Sequence, residues 1–226
     1  MIPDAQPEPQ VITSGAAFDA LGLVHRMLLP RTGAPPFPTL VMIHGYLGDE
    51  NVTWVFARSA GPEWLIVSMR APFASPEGNR WYYANDDGSV NADEYAGGLD
   101  ALSHFIDALP GVYPVDRDRL VLLGFSQGAA MAYAYALRQR VSGVASLSGF
   151  IARPVPRDLP PLHGLPVLIL HGTEDTTIPI RVARANRARL LAAGADVTYR
   201  ESDIGHKVSA EGMRDLQTWL AARLEP

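Results

Sequence analysis

RLVLLGFSQGAAMAYAYALRQR, residues Arg119 to Arg140, changes character half-way along. Leu120 to Leu123 is a continuous apolar run of the kind that forms a strand buried on both faces, and Gln127 to Arg140 reads as an alanine-rich helix. Between them stands Gly124-Phe125-Ser126-Gln127-Gly128, a GxSxG placed where a strand turns into a helix. At so sharp a turn the two elements nearly touch, and Gly124 and Gly128 leave the space that side chains would fill. Ser126 is raised at the tip with its hydroxyl clear. The backbone N–H of Gln127 falls at the helix N-terminus, where unsatisfied donors and the helix dipole favour a developing oxyanion. A purely structural turn would give no reason for a serine between the two glycines.

Apolar runs at Leu40 to Ile43, Leu65 to Val67, Val144 to Leu147 and Val167 to Leu170 repeat the strand pattern on either side of this segment. Helical stretches alternate with them at Gly98 to Leu109, Arg181 to Ala193 and Ala210 to Leu224. This alternation predicts an α/β protein whose mainly parallel sheet is covered by helices on both faces. Val11 to Thr13 and Leu23 to Leu29 read as edge strands of an antiparallel start. RTGAPPFP, Arg31 to Pro38, cannot continue a helix or a central strand and is expected at the surface. From Arg70 to Asn91 the chain is rich in Pro, Gly, Asn and aromatic residues, an expected substrate wall whose conformation stays open. No internal repeat is visible. Residues 1–10 read as a tail and 11–226 as a single domain.

A serine nucleophile needs a base, commonly a histidine held in one tautomer by a carboxylate. In a strand–GxSxG–helix setting the partners follow in the order Ser, acid, His. His206, in DIGHKVS, lies on a loop between the strand-like Val197 to Glu201 and the last helix, and is preferred as base. His171 precedes the best acid, and His163 lies in the connection PPLHGLP. For the acid, HGTEDTTIP puts Asp175 on the loop leaving Val167 to Leu170, at the end of a parallel strand where sites gather. Glu174 points elsewhere, and Asp203 is too close in sequence to His206 to align with it simply. His44 precedes the nucleophile and is expected to shape its own loop.

The 226 residues, 47% hydrophobic and 19% charged, are those of an ordinary globular chain. A net charge of -5 without dense basic runs argues against nucleic acid as a partner. Cysteine is absent, which removes disulfides and thiol nucleophiles. MIPDAQPEPQ lacks the features of a secretory signal, and no run is long enough to cross a bilayer, so no membrane insertion and a cytoplasmic location are expected. Neither HExxH nor metal-ligand spacing of histidines occurs, so no metal and no organic cofactor are expected. NDDGSVNADE, Asn85 to Glu94, has Tyr83 where a calcium loop of the EF-hand type would need its first aspartate, and reads as a solvated loop. Arg181, Arg184, Arg187 and Arg189 read as an exposed helix face.

GFSQGAAMA, HGTEDTTIPI and GHKVS together resemble the phospholipase/carboxylesterase family of the α/β-hydrolases, with MIHGYLGD, SMRAP and LSGF in the expected order between strands. The resemblance covers most of the chain from about Leu40. It implies an α/β-hydrolase fold without a large lid, with Ser126 as nucleophile, Asp175 as acid, His206 as base and Gln127 as one oxyanion donor. The family's first loop usually runs HG, one residue, Gly, whereas Tyr46 and Leu47 both separate Gly45 from Gly48 here. The Tyr46 N–H is the expected second donor, with Leu47 as its alternative. The resemblance also places an aromatic residue after RAP near the acyl site, for which Trp81 is the nearest match. Tyr46, Leu47, Phe73, Trp81, Tyr82, Tyr83 and Ile178 are the expected apolar walls. The expected reaction is hydrolysis of short- to medium-chain carboxylic esters through an acyl-enzyme. Thioester hydrolysis is the alternative, and a non-catalytic binding module sharing the fold is a third reading. The substrate is expected to be a small ester or thioester, and a homodimer is left open.

Overall fold

The computed structural model describes residues 8–85 and 89–224. Residues 1–7 of the expected tail, and Asp86, Asp87 and Gly88 of the acidic stretch, lie outside the described residues. In chain order the elements are β1 (Gln10–Ile12), α1 (Ala16–Leu21), β2 (His25–Leu28), β3 (Phe37–Ile43), a 3₁₀-helix (Val52–Ser59), β4 (Leu65–Met69), β5 (Phe73–Ser75), β6 (Gly78–Arg80) and α2 (Ala92–Val112). There follow β7 (Val115–Phe125), α3 (Gln127–Ala136), β8 (Gly143–Leu147), β9 (Pro166–Gly172), α4 (Ile180–Ala192), β10 (Asp196–Ser202) and α5 (Ala210–Ala221).

Eight strands form one sheet in the order β1-β2-β4-β3-β7-β8-β9-β10, and β5 and β6 form a separate hairpin. β1 and β2 pair antiparallel, as does β2 with β4, while every other pairing in the large sheet is parallel. The sheet separates two apolar clusters residue by residue, because successive strand side chains point to opposite faces. Val41, Ile43, Leu65, Val67, Leu122 and Ile169 join the cluster under α1, α2 and α3. Leu40, Met42, Ile66, Leu123, Leu147 and Leu170 join Phe56 of the 3₁₀-helix and Leu216, Trp219 and Leu220 of α5 on the other face. Continuous apolar runs rather than alternating ones are what such a doubly covered sheet requires.

Several elements differ from the sequence reading: the β5–β6 hairpin lies in the segment read as a loop, and β3 starts at Phe37, inside the segment Arg31 to Pro38 read as a surface connection. α2 starts six residues earlier than Gly98, at Ala92, where the Asn91 side chain accepts from the Glu94 N–H at 2.9 Å. It also runs past Pro110 to Val112. The carbonyl of Ile106, which loses its helical donor to the proline, accepts from Arg117 Nη1 at 3.4 Å. α1 and the 3₁₀-helix were not expected at all. Arg181, Arg184 and Arg187 of α4 are exposed, as the sequence reading has them, while Arg184 also forks onto Glu201 at 2.7 and 2.8 Å and Arg189 donates to the carbonyls of Pro156 and Arg157. The β8–β9 connection, residues 148–165, carries no helix or strand, so no helical lid grows from it.

Candidate active site

β7 delivers Ser126 to the C-terminal edge of the parallel sheet, and α3 carries the chain away. Ser126 has φ 53° and ψ -115°, a left-handed conformation that costs a non-glycine residue about 1–3 kcal/mol. Its N–H is anchored to the Leu147 carbonyl at 2.9 Å. A Cβ at Gly124 would stand 2.4 Å from Ala129 Cα, and one at Gly128 would stand 2.1 Å from the Ile43 carbonyl oxygen. Both glycines are therefore demanded by close packing, with β3 as well as α3 crowding the turn.

The strand β9 ends in the loop that carries Asp175, and the β10–α5 loop carries His206. His206 Nδ1 donates to Asp175 Oδ2 at 2.7 Å. Asp175 Oδ1 accepts from the N–H groups of Thr177 and Ile178 at 2.9 and 2.8 Å. The carboxylate is thus buried yet saturated with donors, which fixes its orientation. Because Nδ1 carries the proton, the neutral ring presents Nε2 as an acceptor. The two loops interlock: Thr173 N–H donates to Ser202 O, Glu174 N–H to Ile204 O, and a Cβ at Gly172 would lie 2.1 Å from the Ile204 oxygen. Asp203 accepts from Thr173 Oγ1 at 2.9 Å, so it ties the loops together and is not on the imidazole.

Ser126 and His206 line one cavity of about 610 Å³, and Phe125 lies against the imidazole with ring centroids 5.1 Å apart. Among the described residues neither Ser126 Oγ nor His206 Nε2 has a hydrogen-bond partner. Such contacts are often open in a site without substrate. The amides of Tyr46, Leu47 and Gln127 likewise have no acceptor among the described residues. Tyr46 and Leu47 are the central residues of a turn closed by Gly48 N–H onto Gly45 O at 3.2 Å, with Leu47 at φ 62°. Gly45 brings this turn to Ser126: a Cβ there would lie 3.3 Å from Ser126 Cβ.

His44 shapes that turn. Its Nδ1–H donates to Gly45 O at 2.6 Å, its Nε2 accepts from the Ala71 N–H at 2.9 Å, and its carbonyl accepts from the Trp81 indole. Burial pushes the His44 imidazole below its usual pKa, which matches a ring needed as an acceptor. The β5–β6 hairpin supports the other side, Asn79 donating to the Gly48 carbonyl through both its N–H and its side-chain amide. Arg80 ties the hairpin to α2 by forking onto Glu94 at 2.9 and 3.1 Å.

Of the apolar walls read from the sequence, Tyr46 and Leu47 line the cavity, whereas Phe73, Trp81 and Ile178 do not. Trp81 is fully buried, because its indole N–H and its backbone N–H find acceptors inside, on His44 O and Gln127 Oε1. Phe73 packs in the hairpin over Gly97 of α2, and Ile178 spends its N–H on Asp175 and its carbonyl on His171. Tyr82 is buried and Tyr83 is exposed outside the cavity lining. The walls instead come from Val52, Val55 and Phe56 of the 3₁₀-helix, with Phe125, Val208 and Met213. Of these, Phe125 alone stands next to Ser126 in the sequence.

The model of the phospholipase/carboxylesterase family matches residues 31–224. The chain belongs to that family. Family relatives include acyl-protein thioesterase 1 of Neurospora crassa, 27% identical over 82% of this chain and 86% of that protein. Esterase YpfH of Escherichia coli is 26% identical over 80% of each chain. Among solved structures, Bacillus cereus carboxylesterase superposes with a TM-score of 0.81 at 21% identity, covering 91% of this chain and 97% of that one. A carboxylesterase from Mesorhizobium loti gives 0.81 at 23% identity, covering 94% and 98%. At these identities the structural likeness establishes the α/β-hydrolase fold of the family.

Proposed function

We propose that this protein is a serine carboxylesterase that hydrolyses short- to medium-chain esters, with Ser126 as nucleophile, His206 as general base and Asp175 as the carboxylate that orients it. The observation that carries the reading is the 2.7 Å bond from His206 Nδ1 to a buried Asp175, with the free Nε2 edge in the same cavity as Ser126. In the first step Ser126 Oγ bonds to the ester carbonyl carbon while its proton passes to His206 Nε2. The carbonyl oxygen, now negative, meets the Gln127 N–H and the Tyr46 N–H, with Leu47 as the alternative second donor. The intermediate collapses, the C–O bond to the alcohol breaks, and His206 returns the proton to the departing oxygen. Water then attacks the acyl-serine by the same route in reverse, giving the carboxylic acid and free Ser126. The modest cavity and its Val, Phe and Met walls favour an acyl group of limited length.

Ser126→Ala tests the reading. It should abolish labelling by a fluorophosphonate probe and lower kcat by about three to six powers of ten with the thermal midpoint preserved. Near-normal turnover in the folded variant would refute it. Relatives named acyl-protein thioesterase favour thioester hydrolysis as a second reading. Matched oxygen and sulfur esters of one acid separate the two, the larger kcat/KM naming the chemistry.

A further inference from the structure

Lys207 is the only lysine of the sequence, which otherwise uses arginine for its cations. It directly follows His206 and lines the cavity together with Arg58 from the last turn of the 3₁₀-helix. No aspartate or glutamate lines that cavity, and among the described residues neither cation has a carboxylate partner. Several arginines elsewhere are paired with an acid, as Arg70, Arg80, Arg117, Arg119 and Arg184 are, and those left unpaired lie outside this cavity. A chain of net charge -5 thus concentrates two unpaired positive charges at the mouth of its apolar cavity.

We propose that Arg58 and Lys207 form a carboxylate-binding rim, so that the cavity selects esters bearing a carboxylate separated from the ester group by a short apolar spacer. This rests on the ester-hydrolase reading above. Val55, Phe56, Val208 and Met213 line the same space and offer the spacer an apolar surface. The guanidinium supplies a planar fork that matches a carboxylate, and the ammonium adds a point charge. Both head groups are exposed, so the selection is moderate and sensitive to salt.

The test uses two matched pairs of esters. Monomethyl adipate against methyl hexanoate places the charge at the acyl end, and the butyrate of an omega-hydroxy acid against butyl butyrate places it at the alcohol end. The readout is the ratio of kcat/KM for the charged ester over the neutral one, in which any general loss of activity cancels. In at least one pair, Arg58→Gln with Lys207→Gln should lower this ratio about fivefold, each single variant about twofold, mainly through KM. Raising salt to about 0.5 M should lower the wild-type ratio in the same direction. Arg140→Gln, an equal charge change in a groove beside Pro166 at the start of β9, should leave it unchanged. An unaltered ratio in both pairs for the single and double variants, or an equal fall in Arg140→Gln, overturns the rim. If the wild type cleaves no ester of either pair, the esterase reading falls and takes the rim with it. Cleavage of the neutral esters with an unmoved ratio removes the rim alone.

Discussion

His171 lies four residues before Asp175 and reaches the same carboxylate. Its Nε2 stands 2.7 Å from the Ile178 carbonyl and 3.4 Å from Asp175 Oδ2, with its side chain fully buried. Only an Nε2–H can donate to a carbonyl, so the ring closes the Asp175 loop as a donor. His171→Leu leaves the part-buried Ile178 carbonyl without this donor, which costs about 1 kcal/mol. The expected outcome is a lower urea midpoint together with a lower kcat/KM. His171→Gln, which can offer an N–H at similar reach, should restore part of both. A Leu variant matching wild type in both measurements would show that the loop holds without the imidazole. In the sequence His171 competes with His206 as a base, since residue type and strand-end position fit either. That Ser126, Asp175 and His206 gather at one edge of the sheet was legible because side-chain identity and chain order pointed to it. Phe73, Trp81 and Ile178 were not, because an aromatic or aliphatic letter says that a group is apolar and not which way it faces. The Trp81 indole faces inward to reach the His44 carbonyl, a partner invisible before the fold is known.

At the level of elements, the five central strands were readable from uninterrupted apolar runs, and the sheet bears them out. The 3₁₀-helix was not, because Val52 to Ser59 is too short to display a helical period and mixes exposed valines with a buried threonine, phenylalanine and serine. Yet it builds one wall of the cavity. The β5–β6 hairpin was equally silent, since its role lies in backbone contacts: Gly78, at φ 150°, leaves room for the Leu47 carbonyl where a Cβ would come within 2.1 Å. Gly78→Ala must therefore push the 45–48 turn. With the proposed oxyanion donors displaced by a fraction of an ångström, kcat should fall about tenfold to a hundredfold. Fluorophosphonate labelling would slow in step, and far-UV circular dichroism would stay unchanged. A kcat within twofold of wild type would mean that the turn does not depend on the hairpin for its shape.

Taken over the whole molecule, titration is expected to weaken the fold in two stages. His25 and His44 have their pKa values lowered by burial, and each already uses one ring nitrogen as an acceptor, from Tyr113 and from Ala71. The unfolded chain takes up these protons near pH 6.5, before the folded one does, so stability present above that pH is lost as pH falls toward the folded values. A second loss begins below about pH 4.5, where carboxylates with depressed values lose their partners. Glu201 is held down to about 2 by its fork with Arg184, and Glu94 is lowered by Arg80. Burial pushes Glu50 up, but its hydrogen bonds and charge pairing with Arg70 outweigh that and leave it lowered. Urea midpoints at constant ionic strength should therefore decline between pH 7.5 and 5 and again below 4.5. A midpoint flat over the first interval would show that neither histidine is penalised for its charge.

The arginine-for-lysine usage of this chain has a practical side. A protease specific for lysine has a single peptide bond to cut in the whole sequence, between Lys207 and Val208, one residue past His206. Nicking there would cleave the backbone between the imidazole and α5, and a ligand seated in the cavity would shield that bond, so the yield of the two fragments becomes a gauge of occupancy that requires no turnover.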